Sequence, residues 1–521
     1  MIMAKLTIDN RKVEVADGAT ILDAAGKLGI DIPTLCFLKD CKPSTSCMVC
    51  VVQVEGFASL VPACATVATD GMKVRSDCEQ VHEARKAALE LLLSDHLGDC
   101  LGPCHTICPA QMNIPLMIRQ IAAGKLSDAI ATVKRDIALP AVLGRICPAP
   151  CERGCRRAAI DEAVSICLLK RYVADVDLDS AEPYSPPCEP KKGKRVAIVG
   201  AGPAGLAAGY YLQQAGYDST IFDDHEKPGG MLQYSVPEDE LPRDVLDKEI
   251  AQIESIGVKF RCGTKIGGKI SLEDLRKDFD AVFVAVGNLD PEAVESMGFK
   301  AGRNGIAVDG STYETSLPGV FAGGDAVHKR KLTVRAVADG REAAVSIDQY
   351  LSGETVMGPV KPFNTRIGKI RGQEKEAFAA CGSAESRVLA AKQGDGFTDD
   401  QARREAGRCL HCDCRKADNC RLRERCDQYG ARPTRYKGDR RSFVQHRQHP
   451  KVIYEPGKCI DCGLCIQIAA AEGEKLGLAF VGRGFDVRVA VPFDYSMEQA
   501  LEHAAAKCVE ACPTGALAFS E

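Results

Sequence analysis

The sequence lacks a strong charge bias and any long apolar run, and each absence excludes a class of function. The net charge is −4 over 521 residues, so no basic field points to nucleic acid. No window holds the roughly 18 apolar residues of a membrane helix, and the N-terminus has no positive start followed by an apolar stretch. We therefore expect a soluble, cytoplasmic protein with no membrane span and no nucleic-acid partner.

Histidine is also scarce, whereas cysteine is unusually common. The chain has 9 histidines against 26 cysteines, and most of the cysteines fall in tight C-x2-C or C-x3-C groups. Nothing suggests a small secreted domain that would need disulfides, so the crowding indicates metal binding. The absence of paired histidines favours iron–sulfur clusters over zinc.

Residues 194–205, KRVAIVGAGPAG, are typical of a dinucleotide-binding turn, in which a buried strand ends at glycines and a helix begins. Gly200 permits the tight turn, Gly202 leaves room for the phosphates, and Gly205 lets helix and strand pack closely. The next predicted strand ends at Asp223, where an acid would accept a hydrogen bond from a ribose hydroxyl. A Gly-rich turn without a ligand is the alternative.

The first cysteine group follows a predicted hairpin over 3–14 and a predicted helix over 20–28. Its spacing is C-x10-C-x2-C-x13-C, and the flanking motifs IPTLC and VPAC resemble the [2Fe–2S] domain of the large peripheral subunit of respiratory complex I and of iron-only hydrogenases. The resemblance implies a β-grasp domain in which Cys36, Cys47, Cys50 and Cys64 hold a [2Fe–2S] cluster. Cys41, inside the loop, is expected not to bind iron.

The next group begins after a helix predicted over 78–94. His96, Cys100, Cys104 and Cys108 are spaced H-x3-C-x3-C-x3-C, whereas complex I relatives have H-x3-C-x2-C-x5-C. From Cys108 onward the sequence resembles the helical cluster domain of the glutamate synthase small subunit, which holds two [4Fe–4S] clusters. That resemblance implies that one cluster is bound by Cys108, Cys147, Cys151 and Cys155.

The ligands of the other cluster are less clear. It would take Cys100 and Cys104, with His96 as a third ligand or, alternatively, as an ordinary surface histidine. Cys167 and Lys170 are candidates for the fourth position. An unusual ligation and the absence of this cluster both stay open.

The segments after Asp223 resemble the FAD domain of the same family, which also includes dihydropyrimidine dehydrogenase and NADPH-ferredoxin transhydrogenases. The resemblance rests on a KPGG motif, on a buried strand that ends at Gly287 and on a LPGVFAGGD motif followed by TVRAVADG. It implies that Asp325 holds the ribityl chain and that the backbone near Val334 faces the flavin ring. The cofactor-binding residues would be Gly200, Gly202, Pro203, Ala204, Gly205, Asp223, Gly230, Gly287, Gly324, Asp325, Thr333 and Val334.

Two further absences bear on how the flavin is used. In the family an NADPH domain is inserted after the strand that ends at Gly287, but here only residues 288–313 intervene and no second G-x-G-x-x-G occurs. Hydride donation by NADPH in the family's usual pose is therefore not expected. Between Gly200 and Gly340 the only cysteine is Cys262, so these residues cannot form a dithiol relay.

The C-terminal part contains two more groups. The first has C-x2-C-x1-C-x5-C spacing and predicts a [4Fe–4S] cluster, with zinc as the alternative; its members are Cys409, Cys412, Cys414 and Cys420. The second has a bacterial ferredoxin pattern and predicts another [4Fe–4S] cluster; its members are Cys459, Cys462, Cys465 and Cys512. Ala469 stands where a second ferredoxin cluster would need cysteine, and Cys508 has no evident role.

These patterns together predict a multidomain chain of α/β and α+β parts. The expected order is a β-grasp [2Fe–2S] ferredoxin domain (1–77), a helical [4Fe–4S] domain (78–176), a linker (177–193), a Rossmann-like FAD domain lacking an NADPH insertion (194–352), a connector with the Cys409–Cys420 cluster (353–450), and a ferredoxin-like [4Fe–4S] domain (451–521). The cofactors would be FAD, one [2Fe–2S] and three to four [4Fe–4S] clusters.

The predicted function is that of an electron-transfer subunit in an oxidoreductase complex. A flavin takes up two electrons and releases them singly, whereas each cluster carries one. Partners would be a nucleotide-binding flavoprotein, a formate dehydrogenase or hydrogenase subunit, or a ferredoxin. The alternatives are a stand-alone flavoenzyme that oxidises NAD(P)H or reduces a quinone or small acceptor, and a scaffold whose clusters are only structural.

Overall fold

The computed structural model describes residues 3–329, 331–392, 394–436 and 438–520. The chain forms two compact units. The first unit comprises Met1–Leu101, Pro362–Phe378 and Cys412–Glu521, and the second comprises Gly102–Lys361 and Ala379–His411. The six segments expected from the sequence are finer than this division, and their boundaries stay predictions.

The strands in chain order are β1 Met3–Ile8, β2 Arg11–Ala16, β3 Val51–Val54, β4 Val61–Pro62, β5 Lys73–Arg75, β6 Arg195–Val199, β7 Asp218–Phe222, β8 Lys259–Arg261, β9 Ala281–Val284, β10 Val320–Ala322, β11 Val452–Tyr454, β12 Ala479–Val481, β13 Arg488–Ala490 and β14 Leu517–Phe519.

The α-helices are α1 Ile21–Lys27, α2 Glu79–Ser94, α3 Pro103–Ile107, α4 Ile114–Ala122, α5 Leu126–Asp136, α6 Pro140–Ile146, α7 Pro150–Arg153, α8 Ile166–Leu178, α9 Pro203–Gln214, α10 Met231–Tyr234, α11 Arg243–Ser255, α12 Leu272–Asp278, α13 Pro291–Ser296, α14 Thr333–Leu351, α15 Lys375–Ala379, α16 Asp399–Gly407, α17 Arg421–Gln428, α18 Leu464–Ala471, α19 Met497–Ala500 and α20 Ala505–Ala511.

In the first unit, the N-terminal part is a mixed five-stranded sheet in the order β2-β1-β5-β3-β4. β1 and β2 form the predicted antiparallel hairpin, and β1 pairs in parallel with β5. The predicted helix is α1, which starts with a capping box between Thr20 and Asp23. Alternating apolar residues of β1, including Leu6 and Ile8, are buried in the core that α1 covers.

The C-terminal part of the first unit is built around the antiparallel pair β11 and β14. Helices α18 and α20 pack against each other, and α20 also packs on both strands. Ile468, Ala469 and Cys508 are buried in this core. Both ends of the segment are thereby held together, which brings the cysteines that precede α18 near the one that follows α20.

The second unit contains a parallel five-stranded sheet in the order β10-β9-β6-β7-β8. Every residue of β9 is buried, as expected for a strand covered on both faces. The chain order reverses between β6 and β9, and ligands of open α/β sheets bind at such a switch point. The fold class predicted from the sequence, a multidomain chain with a Rossmann-like domain, is confirmed.

A single short helix, α13, is the only α-helix between β9 and β10 in the part of the chain that the structure describes. These two strands are neighbours in the sheet. The intervening segment therefore returns directly to the same sheet.

A helical region precedes the sheet in the second unit. Helices α4, α5, α6 and α8 pack on one another, and α11 from the sheet region packs on α6. Glu249 of α11 is buried and accepts hydrogen bonds from the backbone N–H groups of Ala141 and Val142, at 2.7 and 2.9 Å. Burial raises the pKa of this carboxyl to about 7.

Across the described residues, none of the helices is both long enough and apolar enough to span a lipid bilayer.

The close packing of α9 and α14 generates a testable prediction. A Cβ on Gly340 of α14 would lie 2.2 Å from the carbonyl oxygen of Ala204, which is backbone and cannot rotate away. We expect Gly340→Ala to lower the free energy of unfolding by about 1–3 kcal/mol, measured by chemical denaturation. The matched control is Gly407→Ala in α16, where the nearest atom would be 3.9 Å away. Equal stability of the two variants would contradict the assigned contact.

Candidate cofactor sites

The glycines of the 194–205 turn are needed for two different reasons. Gly200 has φ +106°, and a Cβ there would lie 2.4 Å from the carbonyl oxygen of Ala285. A Cβ on Gly205 would lie 1.9 Å from the carbonyl oxygen of Gly200. A Cβ on Gly202, in contrast, would meet no atom within 4 Å. The first two glycines are required by packing, whereas Gly202 borders open space.

This open space lies at the N-terminus of α9. Gly202 is the N-cap and provides no side-chain cap, so the first N–H groups of the helix face outward, and Pro203 begins the helix. Gly230, with φ +55°, approaches Gly202 so closely that a Cβ on it would lie 2.8 Å from the Gly202 Cα. The result is a backbone cradle that fits a dinucleotide pyrophosphate.

Asp223 fixes the turn in addition to its predicted contact with ribose. Its buried carboxylate accepts hydrogen bonds from the Ala201 N–H at 2.6 Å and from the His225 N–H at 2.9 Å. The His225 ring nitrogen Nδ1 also lies 2.9 Å from this carboxylate, and that hydrogen bond raises the pKa of His225. The acid is therefore held in one orientation at the end of β7.

The last predicted flavin segment depends on a residue that the sequence analysis did not identify. Gly324 has φ +67° and donates its N–H to Asp339 at 3.1 Å. Asp339 is 1% exposed, pairs with Arg335 at 2.7 Å and accepts a hydrogen bond from the Tyr313 hydroxyl at 3.0 Å. The sequence signal that could have identified Asp339 is an acidic residue on the apolar face of a predicted helix. Asp325 lies in the turn that this network supports.

Four thiols of the second unit line one cavity. They come from Cys108, from Cys147 and Cys151 at either end of a short loop, and from Cys167 on α8. Lys170 is the remaining charged group in its lining, and Val334 of α14 forms part of the wall. Cys155, which the sequence resemblance placed in this set, is not among the residues that line the cavity.

The electrostatics of this cavity suit an anionic metal cluster. A hydrogen bond from the Cys167 side chain lowers the pKa of Cys147 to about 6, and burial raises the pKa of Cys151 to about 12. Burial lowers the pKa of Lys170, but the four surrounding cysteines outweigh burial and the net pKa is raised. A buried ammonium group is thus kept charged beside four thiols.

Cys104, Cys155 and Cys409 belong to another part of the second unit. Helix α3, which carries Cys104, packs against α7, which ends just before Cys155. Arg157, shortly after Cys155, donates a hydrogen bond to the carbonyl of Arg408, the residue before Cys409. Asp161 pairs with both arginines, at 2.7 and 3.2 Å. These contacts bring the segments of the three cysteines together.

In the first unit, the four predicted [2Fe–2S] ligands are all buried and form two close pairs. The sulfurs of Cys50 and Cys64 are 3.4 Å apart. A hydrogen bond from Cys47 lowers the pKa of Cys36 to about 5. Two thiolates on one tetrahedral metal with bonds of about 2.3 Å would lie roughly 3.8 Å apart. The two pairs therefore fit one iron each.

The ferredoxin-like cysteines line a second cavity of the first unit, together with Tyr454, Val489 and other mainly apolar residues. Its thiols are Cys459, Cys462, Cys465 and Cys512. Asp461 and Gly463 both have positive φ, which lets the loop wrap around the cavity. Cys508 is buried in the core and does not line the cavity.

Cys100, Cys414 and Cys420 form a third thiol set in the first unit. The Cys414 N–H donates to the Cys100 carbonyl at 3.2 Å, and the Cys100 sulfur lies 3.3 Å from the Thr365 hydroxyl. Burial raises the pKa of Cys420 to about 12, and nearby Cys414 and Cys100 add to the rise. The spacing grouped Cys414 with Cys420, but Cys100 is remote from both in sequence and was not grouped with them.

His96 lies beside this set as a neutral imidazole. Burial, with a smaller contribution from the ammonium of Lys458, lowers the pKa of His96 to about 4. Its Nδ1 is buried and has no hydrogen-bond partner among the described residues. A nitrogen in that state is free to bind a metal, so His96 keeps its predicted candidacy.

Neighbouring thiol sets of the first unit are close together. Burial raises the pKa of Cys462 to about 12, and its neighbours Cys512 and Cys36 contribute to the rise. Cys36, Cys47 and Cys462 share one buried apolar cluster. At the other side of the ferredoxin-like site, the Leu422 N–H donates to the carbonyl of Pro513, the residue after Cys512, at 3.1 Å.

Family models match four parts of the chain. Residues 3–79 match a 2Fe-2S iron-sulfur cluster binding domain, and residues 94–182 match the 4Fe-4S cluster domain II of dihydropyrimidine dehydrogenase. Residues 198–253 match an NAD(P)-binding Rossmann-like domain, and residues 238–340 match pyridine nucleotide-disulphide oxidoreductase. The [2Fe–2S], [4Fe–4S] and Rossmann-like resemblances seen in the sequence are confirmed.

Curated relatives align with part of the chain. The NADP(+)-dependent formate dehydrogenase subunit beta of Moorella thermoacetica is 36% identical over 240 residues, which are 42% of this chain and 32% of that protein. The NADPH-Fe(3+) oxidoreductase subunit beta of Geobacter sulfurreducens is 43% identical over 190 residues, or 36% and 28% of the two chains. The glutamate synthase [NADPH] small chain of Mycobacterium tuberculosis is 39% identical over 192 residues, or 36% and 39%.

The chain spans about a third of the length of these relatives. All three are named as oxidoreductase subunits or chains, and the predicted resemblance to the glutamate synthase small subunit is confirmed. The ligands of individual clusters stay predictions. Two of the predicted sets are divided between the units: Cys100 and Cys104 fall in different units, and so do Cys409 and the remaining members Cys412, Cys414 and Cys420.

The paired thiols near the N-terminus predict the outcome of single substitutions. Cys50→Ser should abolish the [2Fe–2S] cluster, because one iron would lose half of its cysteine pair, and about two iron atoms per chain should be lost. Iron analysis and electron paramagnetic resonance (EPR) of the reduced protein measure this. Cys41→Ser, in the same loop, is the control and should retain the cluster. Loss of iron in the control alone would show that the pairs are assigned wrongly.

The open space beside Gly202 predicts a variant that folds but binds FAD poorly. A valine there would meet no protein atom at its Cβ but would enter the cradle for the pyrophosphate. We expect the FAD affinity to fall at least about tenfold, which corresponds to about 1.4 kcal/mol, while the unfolding temperature of the flavin-free protein is unchanged. Fluorescence titration with FAD measures the affinity. Gly310→Val, which also faces open space, should bind FAD normally; unaltered affinity in Gly202→Val would contradict the site.

Proposed function

We propose that the chain is an FAD and iron–sulfur electron-transfer subunit of an oxidoreductase complex. The observation that carries the proposal is the position of Val334 at the start of α14. This residue is 2% exposed and forms part of the wall of the cavity lined by Cys108, Cys147, Cys151 and Cys167. By resemblance, the backbone at the same position faces the flavin ring.

Val334 thus borders the thiol cavity and, by the resemblance, the flavin ring. The turn Gly324–Ala326 is anchored on Asp339 of α14, so the flavin segment and the cavity wall belong to one rigid element. FAD supplies two-electron and one-electron chemistry when it is bound, and an iron–sulfur cluster supplies one-electron chemistry. Placing the two next to one buried residue suits electron exchange between them.

The thiol sets of the first unit support the same function. The [2Fe–2S] cysteines adjoin the ferredoxin-like set through Cys36 and Cys462, and the ferredoxin-like set adjoins the Cys100 set through Cys512 and Cys420. A cluster with a purely structural role would not need to lie next to other clusters. Adjoining sites are expected for centres that pass single electrons along the protein.

The proposed complement of cofactors is FAD, one [2Fe–2S] and three to four [4Fe–4S] clusters. The partner would be a nucleotide-binding flavoprotein, a formate dehydrogenase or hydrogenase subunit, or a ferredoxin. The names of the relatives, which include a formate dehydrogenase subunit and an NADPH-Fe(3+) oxidoreductase subunit, support a partner of this kind. Because the alignments cover only a third of those proteins, the partner is part of the proposal.

The competing function is a stand-alone flavoenzyme that oxidises NAD(P)H. The family models matched by the sheet region are named for pyridine nucleotides, which is the observation in its favour. Against it stands the short segment between β9 and β10, which holds only α13 as a helix among the described residues. The family places its NADPH domain at this position.

Anaerobic reduction of the reconstituted 521-residue chain distinguishes the two functions. We expect the flavin and cluster absorbance to stay oxidised with NADH or NADPH alone and to bleach with a reduced ferredoxin. Cys151→Ala should slow the reduction of the flavin by ferredoxin, because it removes a thiol of the cavity behind Val334. Cys188→Ser, an exposed thiol, is the control. Rapid and complete reduction by NADH or NADPH alone would establish the stand-alone enzyme instead.

A further inference from the structure

We propose that Cys167, and not Cys155, supplies the fourth thiolate of the [4Fe–4S] cluster bound by Cys108, Cys147 and Cys151, and that Lys170 balances its charge. This inference rests on the proposed function, since it assumes that the cavity holds iron. In the ligand set that the family resemblance implies, Cys167 replaces Cys155 and the other three cysteines stay the same. The new ligand lies on a helix, α8, that the cysteine spacing did not connect with the other three.

The first argument is the orientation of Cys167. It lies in the first turn of α8, and its sulfur is 3.5 and 3.6 Å from the carbonyl oxygens of Leu143 and Gly144. Its side chain is hydrogen-bonded to Cys147, and both line the cavity. Cys167 therefore faces the other thiols.

The backbone at Cys167 is also held in place. Its N–H donates to Glu152 at 2.9 Å, and the other oxygen of Glu152 pairs with Arg387. Arg387 in turn donates to the Ser165 hydroxyl at 2.8 Å. Glu152 and Arg387 thus link the backbone of Cys167 to Ser165, which lies two residues earlier. These contacts fix the position of the thiol without any metal.

The second argument is the composition of the cavity lining. Apart from the four cysteines and Lys170, the residues that line it are apolar, so no carboxylate or imidazole among them can complete a cluster. The Nζ of Lys170 is already engaged, since it donates a hydrogen bond to the Leu143 carbonyl at 3.0 Å. Cys167 is therefore the donor that remains.

The third argument is the place of Cys155. The residue before it, Gly154, packs on the side chain of Ile107 so closely that a Cβ on Gly154 would lie 3.0 Å from that side chain. The chain just before Cys155 thus packs on α3, the helix that carries Cys104, whereas Cys151 lines the cavity and Cys155 does not. The two cysteines of the C-x3-C motif are directed to different sites.

Cluster binding at this site has a defined proton balance. Four S–Fe bonds form, and each cysteine that is still a thiol releases its proton to solvent. A buried cluster with four thiolate ligands carries net negative charge, which is costly in an apolar cavity unless a cation is near. Lys170, three residues after Cys167 on the same helix face, provides that cation.

The test uses the 521-residue chain reconstituted with iron and sulfide, with Cys167→Ala as the central variant and Cys188→Ser as the control. Iron and sulfide content, EPR spectra of the reduced protein and flavin content are measured together. We expect Cys167→Ala to lose about four iron atoms, or about one if a trinuclear cluster remains, while flavin content is normal. Wild-type iron content with an unchanged spectrum would overturn the assignment.

Two comparisons separate ligation from a structural effect. Cys155→Ala should leave in place the EPR signal that is missing in Cys167→Ala; loss of the same signal in both would overturn the distinction. If Cys167→Ala does not fold, Cys167→Ser decides: a lost cluster or a shifted midpoint potential supports ligation, and an unchanged potential with full iron content contradicts it.

The role of Lys170 has its own readout. Lys170→Met should retain the iron but lower the midpoint potential of this cluster, because the reduced and more negative form loses its cation; an unchanged potential would contradict the charge role. A wild-type chain that binds no [4Fe–4S] cluster at all would refute the proposed function, whereas a cluster that survives Cys167→Ala refutes only this ligand.

Discussion

The packing of α14 against α9 is the contact on which the second unit depends. Gly340 allows the two helices to approach until only a hydrogen atom fits against the Ala204 carbonyl. The same approach places the N-terminus of α14 beside the glycine turn at 200–205. Because α14 is one continuous helix, Val334 at its start is fixed against the thiol cavity. One steric constraint thus sets the geometry of both the candidate dinucleotide cradle and the neighbouring thiol cavity.

Buried positive charge is a second feature of the thiol sites. Lys170 stands among four cysteines in the second unit, and Lys458, paired with Glu455, stands beside Cys414 and His96 in the first. In both places a buried lysine would be unfavourable on its own, since burial opposes the charged form. The four cysteines compensate for burial at Lys170, and Glu455 together with Cys414 does so at Lys458. A cation of this kind also raises the reduction potential of a nearby cluster, so these lysines would help to set the direction of electron flow.

The sequence predicted the local part of the sites and missed the part that depends on tertiary contacts. The spacing of Cys36, Cys47, Cys50 and Cys64 was sufficient to group these four thiols, because one loop and one strand supply all of them. The glycine turn and the short segment between β9 and β10 were likewise predictable from local sequence patterns. The grouping of Cys100 with Cys414 could not be predicted in this way, because the two cysteines lie on segments that are remote in sequence and are joined by a backbone hydrogen bond. For a similar reason Asp339 was missed as a functional residue, and Cys167 was considered only as a fourth ligand beside Cys100 and Cys104: each lies on a helix whose sequence gives no sign of what it faces.

The central claim is that the flavin exchanges electrons directly with the cluster behind Val334. Time-resolved photoreduction measures this exchange: the flavin is excited in the presence of a sacrificial electron donor, and the cluster absorbance is followed without any soluble mediator. The account predicts that the clusters bleach after the flavin is reduced, at a rate independent of protein concentration. A flavin that stays reduced while the clusters remain oxidised until a mediator is added would contradict it.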